Sequence, residues 1–441
     1  ITPPGEWITG QGWNESWWGE SVFPSARELD EVAPNNPVLL YRADMHSAVA
    51  NSAALRIGGV TRDTQDPPMG VIDRDADGNP TGMLKERASK LVDRHVPVST
   101  LAEQLAACRD GIKALHRLGI TAIHDNRIGS ANSAAMDEGV MMLQVYQMLR
   151  DEGALGLRVN CNIAAHNLDH AIGLGLRSGF GDDNLRIGHV KLFSDGSLGS
   201  RTAWMIEPFA RQPGESEDNY GVIVTETESV AEVTRRALAA GYSMSVHAIG
   251  DRANREVLDV IEEATTTWGS PRIPHRIEHV QMLHPDDWGR LAALDVSASV
   301  QPIHALDDMD TADLLLGERA SECYVFRSML DAGSRLAFGS DAPVADPNPW
   351  IGIHAAVVRQ RPDRADRPAW HGEQRISLAD SLRAYTLSAA ESAGWQTVIG
   401  SITPGKRADL VLASEDLETL SAFDQVQAAL TIFNGEIVYE A

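Results

Sequence analysis

The run Arg186-Ile187-Gly188-His189-Val190-Lys191-Leu192-Phe193-Ser194-Asp195-Gly196 reads as a buried strand that ends in an Asp-Gly turn. Lys191, flanked by Val190 and Leu192, is the anomaly in it. An ammonium on such a strand is costly to bury unless its charge is paired or removed. The chain has only five lysines (Lys85, Lys90, Lys113, Lys191 and Lys406), so this one is not background. Three chemistries would suit it: a Schiff base, a general base, or a carbamate formed from the neutral amine and carbon dioxide.

Outward from that strand the texture is regular. Apolar segments at Ile120–His124, Leu157–Ala164, Arg186–Phe193, Tyr242–His247, Arg276–Val280, Val296–Gln301 and Arg335–Gly339 read as strands. Segments with 3.6-residue apolar spacing at 101–118, 226–240, 252–268, 285–294 and 322–333 read as helices. Alternation of this kind predicts parallel strands with helical crossovers, an α/β fold one strand short of a closed TIM-like (β/α)8 barrel. The first hundred residues, rich in Trp, Pro and Asp, read as irregular. From Gly400 onward two further strands, in Lys406–Leu412 and Ile432–Tyr439, predict a small appended sheet. The expected organisation is an insertion subdomain over 1–99, a barrel over 100–398 and part of a small β-sandwich over 399–441.

Composition narrows the function. The chain has 441 residues, 43% hydrophobic and 23% charged, which suits a globular protein with a large core. A net charge of −24 disfavours nucleic acid and anionic membrane as partners. No apolar run reaches the roughly 18 residues of a membrane span. A small-molecule substrate and a cytoplasmic location are expected, and a homodimer is compatible. Cys108, Cys161 and Cys323 are odd in number and widely separated, which suits buried thiols and not a disulfide framework.

The strand ends carry the chemistry. After Lys191 come His247 in Met244-Ser245-Val246-His247, His279 in Arg276-Ile277-Glu278-His279, His304 in Gln301-Pro302-Ile303-His304, and Asp341 in Gly339-Ser340-Asp341-Ala342-Pro343. Strand C-termini of a barrel share one face, so these side chains would converge there. Singly, each has a plainer reading: a structural histidine, a helix-capping aspartate, an ion-paired lysine. Their recurrence at successive strand ends favours a divalent-metal site.

These motifs, with Ser194-Asp195-Gly196-Ser197-Leu198-Gly199-Ser200-Arg201, His247-Ala248-Ile249-Gly250-Asp251, Asp44-Met45-His46 with Asn51-Ser52, Gly78-Asn79-Pro80-Thr81-Gly82 with Glu86, and Gly400–Leu410, resemble the amidohydrolase superfamily. Within it they are most similar to the family 3 branch that includes N-substituted formamide deformylases. The resemblance implies a metal-dependent hydrolase of non-peptide C–N bonds in an amide or formamide-like small molecule. It implies a carboxylated Lys191 bridging two divalent metals, zinc first among them. His247 and His279 would ligate one metal, and Asp341 would ligate the other and move the proton of a metal-bound hydroxide. His46, Glu86, Asp195, Arg201 and His304 are the substrate-site candidates, although Asp195 also suits a plain turn and Arg201 a surface ion pair. Asp251 suits either a ligand-orienting role or a helix cap. Trp13, Trp17 and Trp18 suit either a lid or packing of the insertion.

One departure from the family pattern stands out: the chain contains no His-x-His pair, which the first barrel strand of such proteins carries. With the start at Ile1, the expectation is an N-terminally incomplete chain whose first strand lies upstream, and which as it stands binds metal poorly. Two other readings remain open. One is a Schiff-base barrel lyase that uses Lys191 without metals, and the other is a non-catalytic truncated barrel.

Overall fold

The computed structural model describes residues 2–13, 15–18, 22–43, 45–128, 138–211 and 218–441. Asn14 and Asp44 of the early motifs, and the side chain of Trp17, fall outside them.

All seven strands expected for the barrel are present: β6 (Ala122–Ile128), β7 (Arg158–Ala164), β8 (Leu185–Phe193), β9 (Met244–Ala248), β10 (Arg276–His279), β11 (Ser297–Val300) and β12 (Arg335–Phe338). They lie in sequence order in one all-parallel sheet, with β6 and β12 at its edges among the described residues. Every residue of β7, β9, β10 and β11 is buried, as expected of parallel strands covered on both faces. The register sets Lys191 beside Ser245 and Glu278 beside His247, so the strand-end residues lie in one neighbourhood.

The long crossover helices match expectation. Leu101–Arg117 starts in a capping box in which Thr100 and Glu103 satisfy each other's backbone N–H. Thr227–Ala239 and Asp251–Trp268 also form. Two expected helices are cut short. Helix over 285–294 is reduced to Pro285–Asp287 and Arg290–Ala293 on either side of Gly289. Helix over 322–333 survives only as Phe326–Asp331, because the preceding backbone is drawn into tertiary pairing: Cys323 bridges Met282, and Tyr324 N–H donates to Gln281 O at 2.7 Å.

The first hundred residues are more ordered than their composition suggested. Strands β1 (Ile8–Trp13), β2 (Val38–Arg42), β3 (Ser47–Ala50), β4 (Gly70–Arg74) and β5 (Pro80–Glu86) form a sheet in the order β1-β2-β3-β5-β4 with its own apolar core. Trp13 packs within this unit, its indole N–H donating to Leu40 O at 2.9 Å and its ring edge-on to Phe23.

At the other end, β13 (Leu410–Ala413), β14 (Ala428–Phe433) and β15 (Glu436–Glu440) form an antiparallel sheet, with Asn434 and Gly435 turning what the sequence suggested as one strand into a hairpin. It is tied to the barrel by Arg158, which is fully buried and donates from Nε (2.6 Å) and Nη2 (2.8 Å) to Asp409. No helix among the described residues is long and apolar enough to cross a membrane.

His275, just ahead of β10, is buried and accepts the Met244 backbone N–H on Nδ1 at 3.0 Å. Burial, and then the neighbouring His189, lower its pKa from the ordinary 6.5 to about 3. Between those values the unfolded chain takes up a proton that the folded chain refuses. This contribution to stability is therefore complete above pH 6.5 and is lost as pH falls toward 3. Replacing His275 with glutamine, which keeps an acceptor, should flatten the pH dependence of urea unfolding by up to about 1.4 kcal/mol per pH unit in that window. An unchanged slope would contradict the assignment.

Candidate metal and active site

The C-terminal ends of the barrel strands open into a cavity of about 1180 Å³. Lys191, His247, His279 and Asp341 all line it, and so do His46, Glu86, Asp195 and His304. Arg201 and Asp251 are not among its lining residues. The guanidinium of Arg201 lies 5.9 Å from the Phe209 ring, and Asp251 accepts the backbone N–H groups of Ile206 and Arg252 at the start of its helix.

The two strand-end histidines are fixed by what their outer nitrogens touch. His247 Nε2–H donates to Gly196 O at 2.9 Å, which leaves Nδ1 with the lone pair. His279 Nδ1–H donates to Gln301 Oε1 at 2.8 Å, which leaves Nε2 with it. The ring centroids are 4.5 Å apart. Burial is the largest influence on both. With His279, Lys191 and His46 around it, His247 is held well below the ordinary imidazole value. His279 is lowered to about 4, against the opposing pull of Asp341. Both rings are therefore neutral near pH 7 and can donate lone pairs, the state a metal needs.

Lys191 is buried, with Nζ 4.6 Å from the centre of the Phe193 ring. Glu278, one residue before His279, is the charge the sequence reading passed over. Burial alone would raise its pKa, but Arg276, Lys191 and hydrogen bonds from Ser299 and Ser245 overcome this and bring it to about 2. Arg276 and Glu278 are two apart on β10 and so share a face, a signal the sequence did contain.

The N-terminal sheet supplies the opposite wall. His46 Nδ1 lies 3.1 Å from both oxygens of Glu86, and Thr202 Oγ1 donates to Glu86 Oε1 at 2.8 Å. The His46 ring is 5.5 Å from that of His247. Gly196 makes the Thr202–Glu86 contact possible, since a Cβ there would sit 2.1 Å from Thr202 Oγ1 and 2.7 Å from Glu86 Oε1. Asp195 braces the floor: it accepts backbone N–H groups from Ile249, Gly250 and Trp204 at 2.8–3.0 Å, while burial pushes its pKa up to about 7. Met45, Glu86, His279 and Asp341, all lining the cavity, have left-handed φ between 49° and 79°. Strain of this kind concentrates at functional sites.

A third wall was also missed. Asp307 and Asp308 follow His304 by three and four residues, on the same helix face. Burial raises each to about 6, and Asp308 accepts the Tyr324 hydroxyl.

Among the described residues no three His, Cys, Asp or Glu side chains form a group that could hold a metal ion. What the structure offers is a pair of neutral imidazoles with free, fixed lone pairs beside a buried lysine. That donor set fits a divalent metal if the lysine contributes oxygen donors of its own, because zinc asks for three or four ligands.

Residues 1–439 match the model of the amidohydrolase family. The chain is 39% identical over 415 residues to the protein LONG AFTER FAR-RED 3 of Arabidopsis thaliana, covering 93% of this chain and 70% of that one. It is 29% identical over 462 residues to the N-substituted formamide deformylase of Arthrobacter pascens, covering 99% and 80% respectively. Its fold is similar to the crystal structure of an uncharacterized metal-dependent hydrolase from Pyrococcus horikoshii, with TM-score 0.69, 28% identity, and coverage of 92% and 76%.

Proposed function

Because the chain belongs to the amidohydrolase family, we propose that it is a metal-dependent hydrolase that cleaves a non-peptide C–N bond of an amide or formamide-like small molecule. The observation that carries this is the matched pair of histidine tautomers, His247 with Nδ1 free and His279 with Nε2 free, on neighbouring strand ends beside Lys191. Similarity to a formamide deformylase and to a metal-dependent hydrolase supports the same reading.

In this reading His247, His279, a carboxylated Lys191 and Asp341 would hold two divalent ions, zinc being the first choice for imidazole and carboxylate donors. Bound there, such ions supply Lewis-acid polarisation of a carbonyl and water of lowered pKa. The remaining tasks belong to the chain. Asp341 lines the cavity beside His279 and takes up and returns the proton that the leaving nitrogen needs. Gly196 O and Gln301 hold the imidazole tautomers, and Asp195 holds the loop after β9. Glu86 aims His46 at the substrate.

Metal analysis of the purified protein, followed by an amide and formamide screen with and without a chelator, tests this proposal. Bound divalent metal together with chelator-sensitive release of an amine is the expected result. A protein that binds no divalent metal under saturating zinc and bicarbonate would overturn it. Glu86→Gln should lower kcat about 10- to 100-fold at unchanged metal content, because it loosens the aim of His46 without touching a ligand. A wild-type rate in that variant would remove the orienting role.

A further inference from the structure

Two buried polar atoms in residues of the cavity wall have no partner among the described residues: Oε1 of Gln281 and Nε2 of His304. Their residues are only 5% and 7% exposed, and both line the cavity beside the histidine pair. Gln281 lies two residues beyond His279, its backbone fixed by the Tyr324 N–H donating to its carbonyl at 2.7 Å. His304 sits in the first turn of the helix Pro302–Leu316, its ring stacked at 6.2 Å and 15° on that of His279. The two side chains touch each other, with Gln281 Nε2 3.5 Å from His304 Nδ1. A buried polar atom without a partner costs about 1–3 kcal/mol, so two side by side in a cavity wall call for a ligand.

What that ligand must offer does not depend on how the amide or the ring is oriented. If one Gln281 amide N–H donates to His304 Nδ1, the ring carries its proton on Nε2, and the pair presents an acceptor (Oε1) together with two donors (Nε2–H and the second amide N–H). If the amide is turned over, Oε1 accepts Nδ1–H. The pair then presents an acceptor (Nε2) together with the two N–H donors of the amide. Either way it shows an acceptor and at least one donor.

We propose that Gln281 and His304 form a recognition pair for a carboxamide or urea edge, a C=O and an N–H on the same side of the substrate. Primary amides, ureas and ring amides have that edge. Ketones, esters and fully substituted amides lack its donor. A matching edge satisfies both atoms, and a mismatched one leaves a polar atom stranded. The inference rests on the hydrolase reading only for where the reacting bond lies.

Calorimetric titration of the purified wild-type protein with benzamide, N,N-dimethylbenzamide and acetophenone tests the pair from the ligand side. Benzamide should bind at least about 10-fold more tightly than the other two. In Gln281→Met and His304→Phe, of similar bulk, that preference should collapse. Equal binding of the three probes by wild type, or a preference retained in both folded variants, overturns the proposal. Metal content measured on the same samples keeps the two readings apart. A preference for benzamide in protein that binds no metal would count against the hydrolase and leave the pair standing, whereas metal without preference would do the reverse.

Discussion

Lys191→Ala is expected to lose both the bridged metal and hydrolysis, with a fall in rate of about two to three orders of magnitude or more, the scale of removing one preorganised electrostatic group. The side chain faces Phe193, and its charge acts on His247, His279 and Glu278. Without it the ion assigned to His247 and His279 would keep two imidazole donors, fewer than zinc takes, with Asp341 assigned to the other ion. Lys191→Glu, which restores oxygen donors on a side chain three atoms shorter than the carbamate, should recover at most a minor part of the metal content. Carbon-13 bicarbonate added to wild type should give a carbamate resonance that is absent from the alanine variant. Full metal content and activity in Lys191→Ala would refute the carbamate reading. Borohydride trapping of substrate on Lys191 without any metal requirement would move the protein to the Schiff-base class.

The second large effect is expected from Arg276→Met. Arg276 donates from Nη2 to Glu278 at 3.0 Å and to Ser299 at 2.7 Å, and both members of the ion pair are almost fully buried. Removing the arginine strands the Glu278 carboxylate in the barrel interior with the Ser245 and Ser299 hydroxyls as its remaining partners. Breaking a buried pair from one side costs about 3–5 kcal/mol, which urea unfolding would register as a shifted midpoint. Replacing both residues with methionine should return much of that loss, since no charge is then left unpaired. If the single and double variants were equally unstable, the loss would come from packing and not from the stranded carboxylate.

Several features were legible in the chain itself. Each barrel strand is a short apolar run between turn signals, and its parallel pairing follows from the helical segments between runs. Lys191, His247, His279, His304 and Asp341 stand at or just beyond strand ends, and parallel strands put such positions on one face whatever the loops do. That is why the sequence anticipated their meeting in one cavity. The N-terminal sheet was harder to read, because its strands are short and lie among Pro, Asp and Gly. Pairing with distant segments, such as β3 with β5, makes them strands.

Strand order, the family likeness and the set of titratable residues that share a face all follow from the chain alone, since periodicity and chain direction are local properties. The chemical state and use of each came from the folded arrangement. It made His247 and His279 neutral with opposite nitrogens free, through a glycine carbonyl and a glutamine far from them in the chain. It assigned Asp195 to three backbone N–H groups, excluded Arg201 from the cavity wall, and brought in Glu278, Gln281, Asp307 and Asp308. Burial and hydrogen-bond partners set proton position and charge, and both depend on what the rest of the fold packs against each side chain.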